Sequence, residues 1–298
     1  MSAGYFICAP GKTSSAGNRM LYALRDELRR RGFAARVFDW VHPDDPSRTD
    51  ARPWELDAAA RVDDIAVYPE IVWGNPLGFR KVARWVLNVP GLLGGGRTYA
   101  SGEAVFTWSP EYLSGVPRLR FDSVDRSLFF ADPQVVRDTI CTFVYKGGKC
   151  RDIPEEAGAV KITRDWPAHR EELAELLRRT RVLYSFDANS SLLDEALVCG
   201  VDVRIVRPDR LDPYVPTDPF DAAVFPGEME TFVRITQALD GRDGGEGEGC
   251  YPGATRRSLR RRARLARLAY CITRAERFRR AEILLKQASV FAGERVKR

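Results

Sequence analysis

Histidine is scarce in this 298-residue chain, and paired cysteine is absent. The only histidines are His42 and His169, too few for a histidine-rich metal centre and poor material for a Ser-His-Asp triad. The six cysteines, Cys8, Cys141, Cys150, Cys199, Cys250 and Cys271, form no C-x-x-C pair. Several fall inside apolar runs, where a small buried thiol packs well, so reduced structural cysteines are expected. No uninterrupted apolar run reaches the roughly 18 residues of a membrane span, and the opening YFICAP lacks the basic flank of a signal peptide. These features predict a cytoplasmic protein, or one peripheral at the inner face of a membrane. A convincing D-x-D is also missing. Acidic pairs occur in HPDDP, DDIAVY and DPFDAAVF, but each suits a turn or strand boundary, so no metal site is expected.

Apolar and charged residues are plentiful, at 44% and 30%, which suits one large or two medium globular domains. The net charge of +6 is unevenly spread. Residues 254–298 carry 15 Lys or Arg against 3 Asp or Glu, a net +12, which leaves −6 for residues 1–253. An acidic body thus ends in a basic tail, joined by the glycine-rich DGRDGGEGEGCYPG.

Alternating apolar runs and helical patterns predict a parallel sheet covered on both faces. YFICAP, AARVFDW and DDIAVYPEIV read as strands, and RMLYALRDELRRRGF as a helix with Met20, Leu21, Leu24 and Leu28 on one face. FRKVARWVLNVPG reads as a second helix through Phe79, Val82, Val86 and Leu87. The alternation restarts near residue 136. TICTFVYKGGK, AVKITRDWP, RVLYSFD and VDVRIV read as strands, HREELAELLRRT and SSLLDEALVCG as helices, and GEMETFVRITQAL as a closing helix. The expected fold class is therefore α/β, with two Rossmann-like domains facing across a cleft. The expected boundaries are an acceptor-side domain at 1–135, a nucleotide-binding domain at 136–240, a linker at 241–253 and a helical tail at 254–298.

The candidate site centres on YSFDANSSLLDEALVCG. Asp187 falls at the C-terminal end of a strand, where open α/β sheets bind ligands. Asn189, Ser190 and Ser191 can cap the next helix, whose N–H groups and positive dipole end suit a phosphate. Glu195 lies one turn further on, where a carboxylate can accept both hydroxyls of a ribose. The same spacing also suits a turn, a cap and a solvated charge. Arg164, Asp165 and Trp166 mark another strand end; Trp166 is placed either to stack on a base or to fill the core. Glu70 and Asn75 in YPEIVWGNP end a strand of the first half. They are candidates for acceptor or sugar contacts, or for fixing a Gly-Pro turn.

The D-x(7)-E segment Asp187 to Glu195, followed by A-L-V-C-G-V-x-V, resembles the E-x(7)-E segment of GT-B glycosyltransferases, with Asp187 in place of the first Glu and Asp202 in place of a customary proline. SSAGNRMLYALRDELRRRGFAARVF is similar to the N-terminal opening of those enzymes, and AVYPEIVWGNPLGFRKVARWVLNVPGLLGG to bacterial envelope-polysaccharide glycosyltransferases. The resemblance spans residues 4–240 and implies transfer of a sugar from a nucleotide-sugar co-substrate, with no cofactor, onto a glycan or lipid-linked acceptor, with weak preference for retention. It implies that Glu195 holds the nucleotide ribose, Asp187 lies by the donor sugar, and Ser190, Ser191 and Leu192 contact the diphosphate. Lys146, with Lys149 close by, would neutralise the leaving phosphates. Gly11, Ser14, Ser15 and Gly17 would form the N-terminal domain's phosphate-facing loop. A non-catalytic relative that binds a sugar nucleotide or glycan is the alternative. The basic tail suits an anionic membrane surface; an acidic body without a recognisable nucleic-acid module makes nucleic acid an unexpected partner.

Overall fold

The computed structural model describes residues 2–9, 15–39, 44–52, 62–144, 151–153, 158–163 and 165–241. The fold is mixed α/β, with two sheets of predominantly parallel strands and, among the described residues, four helices. The chain divides into two compact units. One comprises Met1–Phe121 together with the chain from Phe220 onward; the other is Asp122–Pro219.

The first unit holds strands β1 (Tyr5–Ala9), β2 (Ala35–Asp39), β3 (Ile65–Pro69), β4 (Lys81–Val86) and β5 (Ala104–Thr107) in the order β2-β1-β3-β4-β5, all parallel. Alternate side chains go to opposite faces, as the two-residue period of a strand requires. Tyr5, Ile7, Val67, Trp85 and Phe106 pack on one face, in one core with Leu21 and Leu24 of helix α1 (Ala16–Arg30) and with Met229 and Phe232. Phe6, Cys8, Ala66, Tyr68 and Val82 pack on the other beneath Val72, Leu77 and Phe79. Helix α1 forms where expected and buries Met20, Leu21, Leu24 and Leu28.

Two expectations fail here. FRKVARWVLNVPG is not a helix: Lys81–Val86 is strand β4, paired in register with β3 and β5. A central strand buried on both faces reads as a near-continuous apolar run, and Phe79, Val82 and Val86 fit a helical stripe as well as a strand. The β-branched and aromatic content of Val82, Trp85 and Val86 favours the strand. The second failure concerns the closing helix, Phe225–Gln237, which belongs to the first unit rather than to a domain ending at 240. Its Phe232 stacks on Tyr5 and packs on Phe106, while Gln237 exchanges hydrogen bonds with the backbone of Ala3. Glu228 binds Arg118 and accepts from the Arg120 N–H. The unit boundary also falls at Phe121/Asp122, not at 135.

The second unit holds β6 (Thr139–Phe143), β7 (Val160–Ile162), helix α2 (Arg170–Arg179), β8 (Thr180–Ser185), helix α3 (Ser191–Val198), β9 (Asp202–Val206) and β10 (Leu211–Pro213). The order is β10-β9-β8-β6-β7, parallel except for β10, which runs antiparallel along β9. That edge strand lies in a proline-rich stretch that includes Pro208, Pro213, Pro216 and Pro219. Leu177, Leu193 and Ala196 from α2 and α3 pack against Cys141, Leu183 and Val203 of the sheet. The closing helix Phe225–Gln237 is α4. Among the described residues no helix is long and apolar enough to cross a membrane. Cys8, Cys141 and Cys199 are buried thiols outside any disulfide.

Candidate functional site

Both sheets reverse strand order once, and the reversal opens a crevice at the carboxyl ends of the two strands that flank it. In the second unit these strands are β6 and β8, adjacent and parallel, with Phe143 opposite Ser185. The chain leaving β8 is held tightly. Phe186 N–H donates to the Phe143 carbonyl (2.9 Å), Asp187 N–H to Ser185 Oγ (3.2 Å), and Ser185 Oγ to the Asp187 carbonyl (2.7 Å).

These bonds fix Asp187 at 5% exposure. Its Oδ1 accepts from Asn189 N–H at 2.9 Å, closing a short turn. Its Oδ2 is buried and, among the described residues, has no partner. An unpartnered buried carboxylate oxygen is costly, by about 1–3 kcal/mol or more for a charged group, and is uncommon unless something else satisfies it. Oδ1 thus serves the turn, and Oδ2 takes no part in it.

Ser190 caps α3, its Oγ accepting from Leu192 N–H at 3.4 Å. Leu192 is buried in the core, and its N–H, assigned to a diphosphate by the resemblance, faces the cap instead. Glu195 is not an open carboxylate either. It is 2% exposed and pairs with Arg170, Nη1 to Oε1 at 3.0 Å. Arg170 begins α2, lies over the Phe129 ring at 4.8 Å, and keeps a buried Nη2 that has no partner among the described residues. Arg170 had no motif to reveal it; HREELAELL reads as a plain amphipathic helix start. Trp166 is exposed, not core. Lys146, Lys149 and Arg164 lie outside the described residues, as do Gly11, Ser14, His42, the linker beyond Gly241 and the basic tail.

In the first unit the reversal falls between β1 and β3. Ser15 caps α1, accepting from Asn18 N–H at 3.2 Å, and Gly17 follows in the first turn. At the end of β3, Glu70 is 3% exposed, and its Oε2 accepts from Leu87 N–H at 2.9 Å. Burial pushes its pKa up to about 7, against the pull of the Leu87 and Glu70 backbone hydrogen bonds and of Arg84. Tyr99 lies in the field of Glu70; burial foremost, then that carboxylate, raises its pKa to about 12. The Tyr99 hydroxyl is buried and, among the described residues, has no partner. Arg84 is committed elsewhere. It pairs with Glu103 (2.9 and 3.0 Å), donates to the Val72 and Gly74 carbonyls, and lies between the Tyr68 and Tyr99 rings.

Asn75 is a turn residue. Its Oδ1 accepts from the Tyr68 hydroxyl (2.9 Å) and Phe79 N–H (3.2 Å), and its Nδ2 donates to the Phe79 carbonyl (2.6 Å). Of the two acceptor-side candidates only Glu70 keeps chemistry in reserve. Tyr99, Arg84 and Glu103 escaped sequence reading, Arg84 because its segment was read as a helix.

No known family profile matches the chain, and no curated protein matches it. Among solved structures it is similar to an ABC transporter system solute-binding protein from Conexibacter woesei DSM 14684, at 15% identity over 68% of this chain and 69% of that one. The TM-score is 0.28, too low to bear on fold family or function.

Proposed function

We propose that this chain is a nucleotide-sugar-dependent glycosyltransferase, with the donor on the second unit around Asp187 and the start of α3, and the acceptor on the first around Glu70. The observation that carries the reading is the buried, unpartnered Oδ2 of Asp187 at the strand-order reversal, in the segment that resembles the E-x(7)-E of GT-B enzymes. A sugar hydroxyl donating to Oδ2 would satisfy it. As the glycosidic bond loosens toward an oxocarbenium-like state, negative charge grows on the departing diphosphate. Cationic donors aimed at the leaving group stabilise that charge; the resemblance assigns this role to Lys146, with Lys149 close by in the sequence, and no cofactor is invoked. Retention of anomeric configuration and a glycan or lipid-linked acceptor are parts of the same proposal.

Glu195 takes a revised role. Its ion pair with Arg170 fixes α2 against α3, so ribose recognition falls to neighbouring groups. That pairing is also what favours the second reading, a non-catalytic binder of sugar nucleotide or glycan.

The test is a thermal-shift panel of UDP, GDP, ADP, CMP, dTDP and their common sugars, with and without magnesium, followed by assay of diphosphate release. Stabilisation by one nucleotide family with slow release of its diphosphate supports transfer. Stabilisation without release supports the binder, and no stabilisation by any member counts against both.

A further inference from the structure

The loops that follow β3 and β4 present an apolar surface that neither the sugar-transfer reading nor the core explains. β3 and β4 are parallel and in register, so these loops leave the same edge of the first sheet. They also touch: a Cβ added at Gly95 would lie 1.8 Å from the Glu70 carbonyl oxygen and 2.8 Å from Ile71 Cα, so only glycine admits this approach. On them Trp73 is 58% exposed, Val89 40%, Leu92 45% and Leu93 39%. Isolated exposed apolar residues are ordinary, but four large ones on two touching loops mark an interaction surface.

The charges identify the partner. Residues 71–102 contain no Asp or Glu. The acids bounding the segment are withdrawn, Glu70 into the interior and Glu103 into its buried pair with Arg84. Arg97, on the same loop as Leu92 and Leu93, is exposed. Tryptophan and leucine with an arginine and no exposed carboxylate is the composition of a segment lying at a bilayer interface. A soluble polar glycan would instead be met by hydrogen-bonding side chains.

We propose that residues 71–75 and 88–97 form a membrane-contact surface, with Trp73, Val89, Leu92 and Leu93 entering the boundary between headgroups and acyl chains and Arg97 meeting lipid phosphate. This surface does not depend on sugar transfer and is distinct from the basic tail.

The test uses the full chain with vesicles of phosphatidylcholine containing about 30% phosphatidylglycerol, an anionic fraction that draws basic residues to the surface. The wild type should co-sediment, and the triple variant Trp73→Ser/Leu92→Ser/Leu93→Ser should lose about tenfold or more in partitioning, as expected from withdrawing three apolar side chains. Vesicles of brominated lipid should quench wild-type tryptophan emission more than that of Trp73→Phe. Circular dichroism checks the fold, and the single variant Leu92→Ser gives a milder version of the same loss. Absence of wild-type binding, or equal binding and quenching in the variants, would overturn the proposal. So would self-association of the wild type that the triple variant abolishes with vesicle binding unchanged.

Discussion

Three carboxylates at the ends of strands or on the helix beyond them have three different fates, each set by its neighbours. Asp187 gives Oδ1 to a turn while Oδ2 has no partner among the described residues; Glu195 is neutralised by Arg170; Glu70 is buried with the Arg84 guanidinium engaged elsewhere. Sequence placed all three at the right points of the fold, because apolar runs ending in an acid mark strand ends. It could not assign their partners, since Arg170 comes from another segment and Leu87, whose N–H Glu70 holds, lies in a run read as a helix. A pH prediction follows for Glu70. Between the ordinary carboxyl value of 4.5 and about 7, the folded chain keeps a proton that the unfolded chain has released. This residue's contribution to stability is therefore fullest below the lower value and falls as pH rises through the upper one, by about 3 kcal/mol in order of magnitude. Glu70→Gln keeps an acceptor for Leu87 N–H and removes the titration. Its melting temperature relative to wild type should climb from pH 5 to pH 8; a constant offset would show that Glu70 does not titrate there. For the ion pair, Arg170→Ala strands a buried charge and should destabilise the second unit by about 3 kcal/mol, measured by urea denaturation.

At the scale of elements, the sequence was most legible where one period dominated. Helix α1, with its leucines at helical spacing and Ser15 before it, formed as expected; β4 did not, because burial on both faces erases the strand's alternation. The short β10 was hidden by proline content, which an edge strand tolerates. Helix α4 was placed with its sequence neighbours, whereas Phe232, Thr236 and Gln237 join it to β1, more than 220 residues earlier in the chain. Glu228 is the polar anchor of that docking, reaching both Arg118 and the Arg120 backbone. Glu228→Ala should cost about 2–3 kcal/mol through loss of charge-assisted hydrogen bonds. Hydrogen exchange should find the loss of protection concentrated in α4 and β5, and a uniform loss across both units would contradict this.

For the whole molecule, chain order and unit order differ. The first unit is interrupted and is completed only from Phe220 onward, while the second is a continuous insert of residues 122–219. A fragment of residues 122–219 should therefore fold alone, giving dispersed amide resonances. A fragment of residues 1–121 should not, because the Phe106 and Tyr5 faces covered by α4 would be bare. Both units repeat one strand order, with an acid just beyond the strand at the reversal, Glu70 in one and Asp187 in the other. The most direct test of the account is calorimetric titration of the nucleotide-sugar selected by the thermal-shift panel into wild type and Asp187→Asn. The substitution keeps the turn's acceptor and removes the charge. The account predicts an unchanged or higher melting temperature with affinity weakened by about tenfold or more, the loss of one charge-assisted hydrogen bond. Equal affinity in the two proteins would contradict it and return Asp187 to the role of a turn residue.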